Sequence, residues 1–452
     1  MMDKKIRNDV TKICKMDELP NSWDAKQIKQ VLKIESGVWD SENENGYGVL
    51  RSTNFDKSGY IDFNDVTYRD IKKDKIEQKK LKNGDILLEI SGGGPDQPVG
   101  RVVYSDDIEN KEEDYLFGNF VKRLRTKNSN YNSYYIFRML DRLYNIGQTE
   151  VLQNQTTGIR NLDYRAYMSL PIPIPPYQEQ KKMTSILSSV DKAIEKTDEV
   201  IEETKQLKKG LMQELLTKGI GHNEFKEIKI GPKILKIPSQ WNLKNIKEIA
   251  ELSGGYAFKS KKFIEEEPKN GYQVIRMGNI EMCNLNLNKN NVYLEKKKLN
   301  ENAYKYILNE GDIIITLTGT VSKRDYGEVV LIEEDNQYLL NQRNCRISPN
   351  EKIINYYLYN YLQTKVFRDQ FFLEGKGGTG NQENISIRDV AKMMVLLPAI
   401  EEQKKIVSLL KSVDKKIQKE QEYKKELETL KKGLMQKLLT GEVRVNVDNE
   451  EV

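Results

Sequence analysis

A single histidine, His222, stands in 452 residues, so the commonest general base, activator of Ser and Cys nucleophiles and metal ligand is nearly absent. Catalysis would have to rest on carboxylates, Lys or Tyr. Cys14, Cys283 and Cys345 lie far apart and form no CxxC pair. That pattern predicts neither a disulfide framework nor a thiolate metal site, and fits a reducing cytoplasm. GKGGTG from Gly375 matches GxGxxG, but no clean strand precedes it and NQEN follows instead of an apolar helix start, so it reads as a loop. Pro95-Asp96 with Glu109-Asn110-Lys111 fits a metal-dependent nuclease pattern only loosely, and no GxxxxGK[ST] loop is present. Pro175-Pro176-Tyr177 follows Ile174, where methyl transfer to adenine through a PPY motif needs Asn or Asp to hold the amino group. The chain is expected to carry no catalytic residue, cofactor or metal of its own.

The residues that remain suit binding. Polar loops dense in Gly, Arg, Lys, Asn and Gln recur: SGGGPDQPVGR at Ser91, GTVSKRDYG at Gly319, LNQRNCR at Leu340 and GKGGTGNQEN at Gly375. Arg and Lys reach guanine edges, Asn and Gln reach adenine, and loop amides meet phosphate. Net charge is only +5, from 73 Lys and Arg against 68 Asp and Glu, so the distribution of charge must decide and not its sum. None of the 24 Tyr is assigned a nucleic-acid role.

The elements that must position these loops are written twice. LKKGLMQELLT at Leu207 recurs as LKKGLMQKLLT at Leu430, EQKK at Glu179 recurs at Glu402, and SVDKAI at Ser189 answers SVDKKI at Ser412, all at an offset of 223. Upstream the match is looser: LPNSW at Leu19 answers IPSQW at Ile237, NGDILLEISG at Asn83 answers EGDIIITLTG at Glu310, and VKRL at Val121 falls where CRI stands at Cys345. Within the repeated stretches a 3-4 apolar alternation predicts coiled-coil helices. The expected seam is Met183, Ile186, Val190, Leu207 and Leu211 in the first copy, and Ile406, Leu409, Val413, Leu427, Leu430 and Leu434 in the second. Gly210 and Gly433 lower helix propensity and suggest a close approach or a kink. Forty helical residues span ~60 Å. A second helix running back along the first would make an antiparallel pair; packing of each helix on its own domain, or a parallel homodimer, are the other arrangements.

The intervening segments are strand-rich, with GDILLEI, RVVY, GDIIITL and GEVVLI as short β-branched runs and helical patches at Ser133 and Ile354. With 38% apolar and 31% charged residues, the chain folds as more than one domain rich in solvated surface. No run of 18 apolar residues occurs, and the charged start lacks an apolar region behind it, so secretion and membrane insertion are not expected.

PIPIPPYQEQKKM from Pro171 and VLLPAIEEQKKIV from Val395, each opening a helix that ends in LKKGLMQ, with TGIRNL at Thr157 and TGNQENI at Thr379 before them, resemble the specificity subunits of type I restriction-modification systems over nearly the whole chain. The resemblance implies an α+β chain of two pseudo-symmetric mixed α/β target recognition domains, separated by two long helices pairing as an antiparallel coiled coil. On this reading residues 1–22 are an N-terminal segment, 23–176 the first recognition domain, 177–218 the central helix, 219–240 a linker, 241–397 the second domain, 398–441 the distal helix and 442–452 an acidic tail. It also implies a cytoplasmic protein that reads a bipartite, asymmetric site in double-stranded DNA, with helix length as the ruler for the spacer. Expected partners are two methyltransferase subunits and two restriction subunits, which would bring S-adenosylmethionine, ATP and Mg. Candidate base or phosphate contacts are Arg101, Lys122, Arg123, Arg125 and Arg160 in the first domain, and Lys323, Arg324, Asn341, Gln342, Arg343, Lys376 and Gln382 in the second. The rival readings are a coiled-coil assembly scaffold that does not read DNA, and a solitary methyltransferase or nuclease.

Overall fold

The computed structural model describes residues 19–93, 97–156, 159–231, 233–320, 322, 324–335, 337–377 and 382–447. They form two compact units, one of residues up to Asp198 together with those from Tyr423 onward, the other of Glu199–Glu422. The division falls inside both long helices, Tyr177–Lys218 and Ile400–Leu439, so each unit holds part of each. The expected domains 23–176 and 241–397 are thus the sheet-bearing parts of units that also contain helix.

In the first unit the β-branched runs make a four-stranded antiparallel sheet in the order Leu32–Ser36, Val121–Thr126, Ile86–Glu89, Val102–Tyr104. The Asn-Gly-Asp segment shapes its entry. Gly84 has a φ of 86°, a left-handed turn that favours glycine. Asp85, 1% exposed, accepts from the Lys82 amide at 2.9 Å and from Arg125 Nε and Nη2 at 2.6 Å each. Glu42–Leu50 pairs antiparallel with Thr67–Arg69 and parallel with Tyr115–Phe117 in a second sheet. The helix Ser133–Asn145 begins where the Asn132 side chain accepts from the Tyr135 amide, and it packs Tyr135, Phe137 and Leu140 with Ile86, Leu88 and Leu124.

The second unit repeats these two sheets strand for strand. Ala250–Gly254, Asn344–Pro349, Ile313–Thr316 and Val329–Leu331 form the four-stranded sheet, and Tyr293–Glu295, Gly271–Ile275 and Tyr338–Leu340 form the three-stranded one. Gly311 has a φ of 88°, and Asp312 accepts from the Asn309 amide at 2.9 Å and from Ser348 Oγ at 2.5 Å. The Gly-Asp pair therefore recurs because it starts a buried strand and ties it to its neighbour. The connection read as a short Gly- and Lys-containing link is instead a β-hairpin, Phe225–Ile230 with Lys233–Pro238, and it buries Ile230 and Ile237.

The other repeated motifs are locks between helix and sheet. In the first unit Glu179 accepts from Trp23 Nε1 at 3.1 Å and pairs with Arg444; in the second Glu402 accepts from Trp241 Nε1 at 2.9 Å and meets His222 Nε2 at 2.7 Å. The glutamine that follows each Glu donates to a proline carbonyl, Gln180 to Pro175 at 2.8 Å and Gln403 to Pro398 at 3.0 Å, and accepts from the chain entering the domain helix, at the Asn132 and Ile354 amides. The one histidine is thus part of a structural clasp. Arg444, in the segment read as an acidic tail, plays the same part in the first unit.

Within each unit the two helix segments run antiparallel. Asp191 meets Lys431 at 2.6 Å and Asp198 meets Lys424 at 2.7 Å in the first unit; Lys208 meets Asp414 at 2.6 Å in the second. The buried stripe follows Met183, Leu187, Thr197, Ile201, Thr204 and Leu215 on one helix and Ile406, Leu410, Leu427 and Leu438 on the other. Three of the eleven expected seam residues are therefore corrected. Met183, Ile406 and Leu427 are buried, and Ile186, Val190, Leu211, Val413 and Leu434 are half-buried. Leu207, Leu409 and Leu430 are 56%, 46% and 51% exposed. A period of seven leaves the second seam position open between three and four residues on, and the structure takes four. That places Lys208, Lys424 and Lys431 in the stripe, each neutralised across it. Gly210 and Gly433 have no neighbour within 4 Å of where a Cβ would stand, so no close approach within a unit explains them.

Candidate nucleic-acid interface

In the second unit the strands Gly271–Ile275 and Tyr338–Leu340 run parallel, so the turns leaving them, Arg276–Asn279 and Asn341–Arg343, emerge side by side. Tyr293–Glu295 runs the other way and is entered at the same end through Asn290–Val292. With Glu265, these segments line a cleft of about 890 Å³. Asn279 builds the first turn: its side-chain oxygen accepts from the Arg276 amide at 2.9 Å and its Nδ2 donates to Lys289 O at 2.7 Å, while the Arg276 guanidinium reaches Asn290 O. The Asn341 amide donates to Ile275 O and the Gln342 amide to Tyr256 O, each at 3.0 Å. These bonds hold the turn by its backbone and leave the Gln342 and Arg343 side chains exposed. Arg343 and Asn290 take φ of 72° and 49°, a left-handed backbone that non-glycine residues rarely adopt and that clusters at binding sites.

The first unit carries the same frame. Asn54 accepts from the Arg51 amide at 2.8 Å and donates to the carbonyls of Asp62 and Asp65 at 2.9 Å. The Gly118 amide donates to Leu50 O at 2.8 Å, as Asn341 does to Ile275. VLRSTN at Val49 therefore answers VIRMGN at Val274, and Gly118-Asn119-Phe120 stands where Asn341-Gln342-Arg343 stands in the second unit. The Arg-x-x-Asn repeat was the signal in the sequence for these turns. It is short and its flanks diverge, so it is missed beside the long helical repeat.

The structure gathers Asn341, Gln342 and Arg343 on one rim with Arg276 and Asn291. Three first-domain candidates have a different role. Arg123 is 2% exposed and donates to Glu35, Lys80 O and Gln78 O. Arg101 forms a two-point pair with Glu89 at 2.8 and 2.9 Å and donates to Ser52 O, and Arg125 clasps Asp85. The Arg123 guanidinium is buried within the sheet, and those of Arg101 and Arg125 are each engaged with a buried carboxylate, Glu89 and Asp85. Lys122 donates to Ser36 Oγ at 2.6 Å above the Tyr164 ring. Arg160 lies on the strand Ile159–Leu162, paired with Ser91–Gly93. Arg324 is exposed at a φ of 48°, with its guanidinium 5.2 Å from the Phe372 ring. Lys376 and Gln382 lie on adjoining strands of the hairpin paired with Thr318–Thr320, while Lys323 falls outside the described residues. Lys262 donates to Lys298 O at 3.1 Å, which brings the lysines of residues 259–262 near those of 296–298, where Lys297 and Lys298 pair with Glu295 at 3.1 and 2.6 Å.

Burial pushes the Cys283 thiol up to about 11 and the Cys345 thiol to about 12, so neither is a thiolate at neutral pH. Among the described residues no group of three His, Cys, Asp or Glu could hold a metal ion, and no helix is long and apolar enough to cross a membrane.

The model of the type I restriction modification DNA specificity domain matches residues 20–206 and again residues 238–429, the two copies that the repeat and the strand-for-strand topology define. The type I restriction enzyme MjaVIII specificity subunit of Methanocaldococcus jannaschii is 28% identical over 439 residues, which cover 94% of each chain. The putative MjaX specificity subunit of the same organism is 27% identical over 95% of each chain. Among solved structures, the S subunit of a type I restriction-modification system from M. genitalium aligns over 94% of this chain and 97% of its own, with a TM-score of 0.53 at 14% identity. A chain from a structure concerned with complex assembly and conformational transition of the type I R-M system aligns over 94% of this chain and 100% of its own, with a TM-score of 0.56 at 13% identity. Two matched copies covering most of the chain, on two units of one topology, make this protein a member of the type I restriction-modification DNA specificity family.

Proposed function

We propose that this chain is the target-reading subunit of a type I restriction-modification complex and carries no catalytic centre of its own. Each unit reads one half of a bipartite, asymmetric site in double-stranded DNA, and the long helices set the unread spacer between the halves. The observation that carries this reading is the pair of equivalent turns: the same Arg-x-x-Asn frame supports Gly118-Asn119-Phe120 in one unit and Asn341-Gln342-Arg343 in the other. Equal frames with unequal tips are what an asymmetric target requires.

The helices serve a second purpose. Leu207 and Leu430 are more than half exposed, and each lies three residues before a glycine with open space around it. These two exposed Leu-x-x-Gly stretches are the seats for two methyltransferase subunits, with two restriction subunits joining the complete complex. S-adenosylmethionine, ATP and Mg would be held by those partners, which also flip the adenine out of the duplex.

The test is methyl transfer from labelled S-adenosylmethionine to plasmid DNA. The purified chain alone should transfer nothing, and the chain with the methyltransferase encoded beside it should methylate adenine. Transfer or cutting by the chain alone would contradict the reading, as would a lack of transfer by a complex that assembles and binds S-adenosylmethionine.

A further inference from the structure

We infer that the two units read their half-sites with different chemistry at one structurally equivalent turn, the first through an aromatic surface on thymine and the second through amide and guanidinium groups on purine edges. The inference rests on the proposed DNA-reading role and assigns residues within it. Gly37 and Gly255 fix the equivalence: a Cβ on Gly37 would stand 2.1 Å from Gly118 O, and one on Gly255 would stand 2.0 Å from Asn341 O. The next amides repeat the match, Val38 donating to Phe117 O at 2.8 Å and Tyr256 to Leu340 O at 3.0 Å. Trp39 of the first unit therefore corresponds to Ala257 of the second, and Phe120 to Arg343.

What the first unit places there is unusual for a free surface. Phe120 is 61% exposed at a turn tip, and Trp39, 42% exposed, packs 3.4 Å from where a Gly118 Cβ would be. The Arg69 guanidinium lies 4.2 Å from the Trp39 ring centroid, so one face of that ring is already covered by a cation. Arg51 is paired with Asp65 at 2.9 Å, and Asn119 is the only amide side chain in the turn. Two exposed aromatic side chains beside one turn, with Arg69 over one of them and itself 3.6 Å from Glu42, match the thymine 5-methyl group, which offers apolar contact at the base edge. The second unit offers Gln342 and Arg343, beside Arg276 and Asn291, in the polar cleft. Those side chains match the acceptor and donor pairs of adenine and the two acceptors of guanine.

The experiment uses the full chain assembled with its methyltransferase subunit. Methylated-site sequencing defines the two half-sites, and binding is then measured to duplexes in which each thymine in turn is replaced by uracil. With the unaltered chain, one uracil in the half read by the first unit should weaken binding by about fourfold, the worth of one buried methyl group. Phe120→Ala should abolish that difference and leave the other half untouched. Arg343→Ala should lower the preference at one base pair of the other half by about five- to hundredfold, the worth of a two-point contact to guanine. Both side chains are exposed, and Phe120→Leu serves as a second variant that keeps apolar bulk. A bipartite preference unchanged in Phe120→Ala and Arg343→Ala overturns this inference alone. A complex of the unaltered chain that methylates without sequence preference overturns the functional reading and this inference with it.

Discussion

Arg123 lies at 2% exposure on a central strand and donates to Glu35 and to two backbone carbonyls, whereas Arg343 stands exposed on a left-handed turn at the rim of the cleft. Removing the first deprives Lys80 O and Gln78 O of a donor and Glu35 of one of its two cationic partners, the other being Lys79 at 3.4 Å. Arg123→Ala should therefore destabilise the chain by about 1–3 kcal/mol in urea or thermal unfolding. The protein that remains folded should keep an unchanged methylation motif. A changed motif with unchanged stability would mean that Arg123 reads DNA after all. Composition cannot separate these two arginines. The partners of the strand arginines, Glu35, Asp85 and Glu89, lie 12 to 88 positions away in the chain and meet them only once the sheets form. The Asn341-Gln342-Arg343 turn was legible because a polar triplet between two apolar strands has no place in a core. Phe120 was not legible, since an apolar residue beside a strand reads as packing until its exposure is known.

The same limit acts on the helices. Their existence, length and repeat follow from the heptad pattern, and so does the first seam position of each heptad. The second position does not, because Ile186 and Val200 look as apolar as Leu187 and Ile201, and Leu207 is more apolar than the Lys208 that the structure places inward. Lys208, Lys424 and Lys431 tolerate that place because Asp414, Asp198 and Asp191 face them across the pair. Gly210 and Gly433 have nothing near them in either unit, so Gly210→Ala and Gly433→Ala should each raise helix stability by about 1 kcal/mol in the isolated chain. If these positions seat partner helices, the same changes should weaken capture of the methyltransferase subunit, measured by titration of one protein with the other. Greater stability with undiminished assembly would remove the glycines from the docking surface. The hairpin at 225–238 has its own lesson. EIKI and LKI alternate on either side of Gly231-Pro232, a short period-two pattern that was present to be read behind the Gly and Lys content of the segment.

At the scale of the whole molecule, one topology is used twice with different turn residues, and the repeat in the sequence made that architecture legible before any coordinate. The parts under close constraint are the locks: Trp on Glu, Gln on a proline carbonyl, Asp on Lys. The parts free to diverge are the turns at one end of each three-stranded sheet. The central claim is that each unit reads one half of a single target. The most direct measurement is to express the chain with its methyltransferase in a host, map methylated adenines by long-read sequencing, and repeat this after replacing residues 241–397 with the corresponding segment of a related specificity subunit. The account predicts a two-part motif of which one half changes and the other persists. A motif that changes in both halves, or in neither, would contradict it.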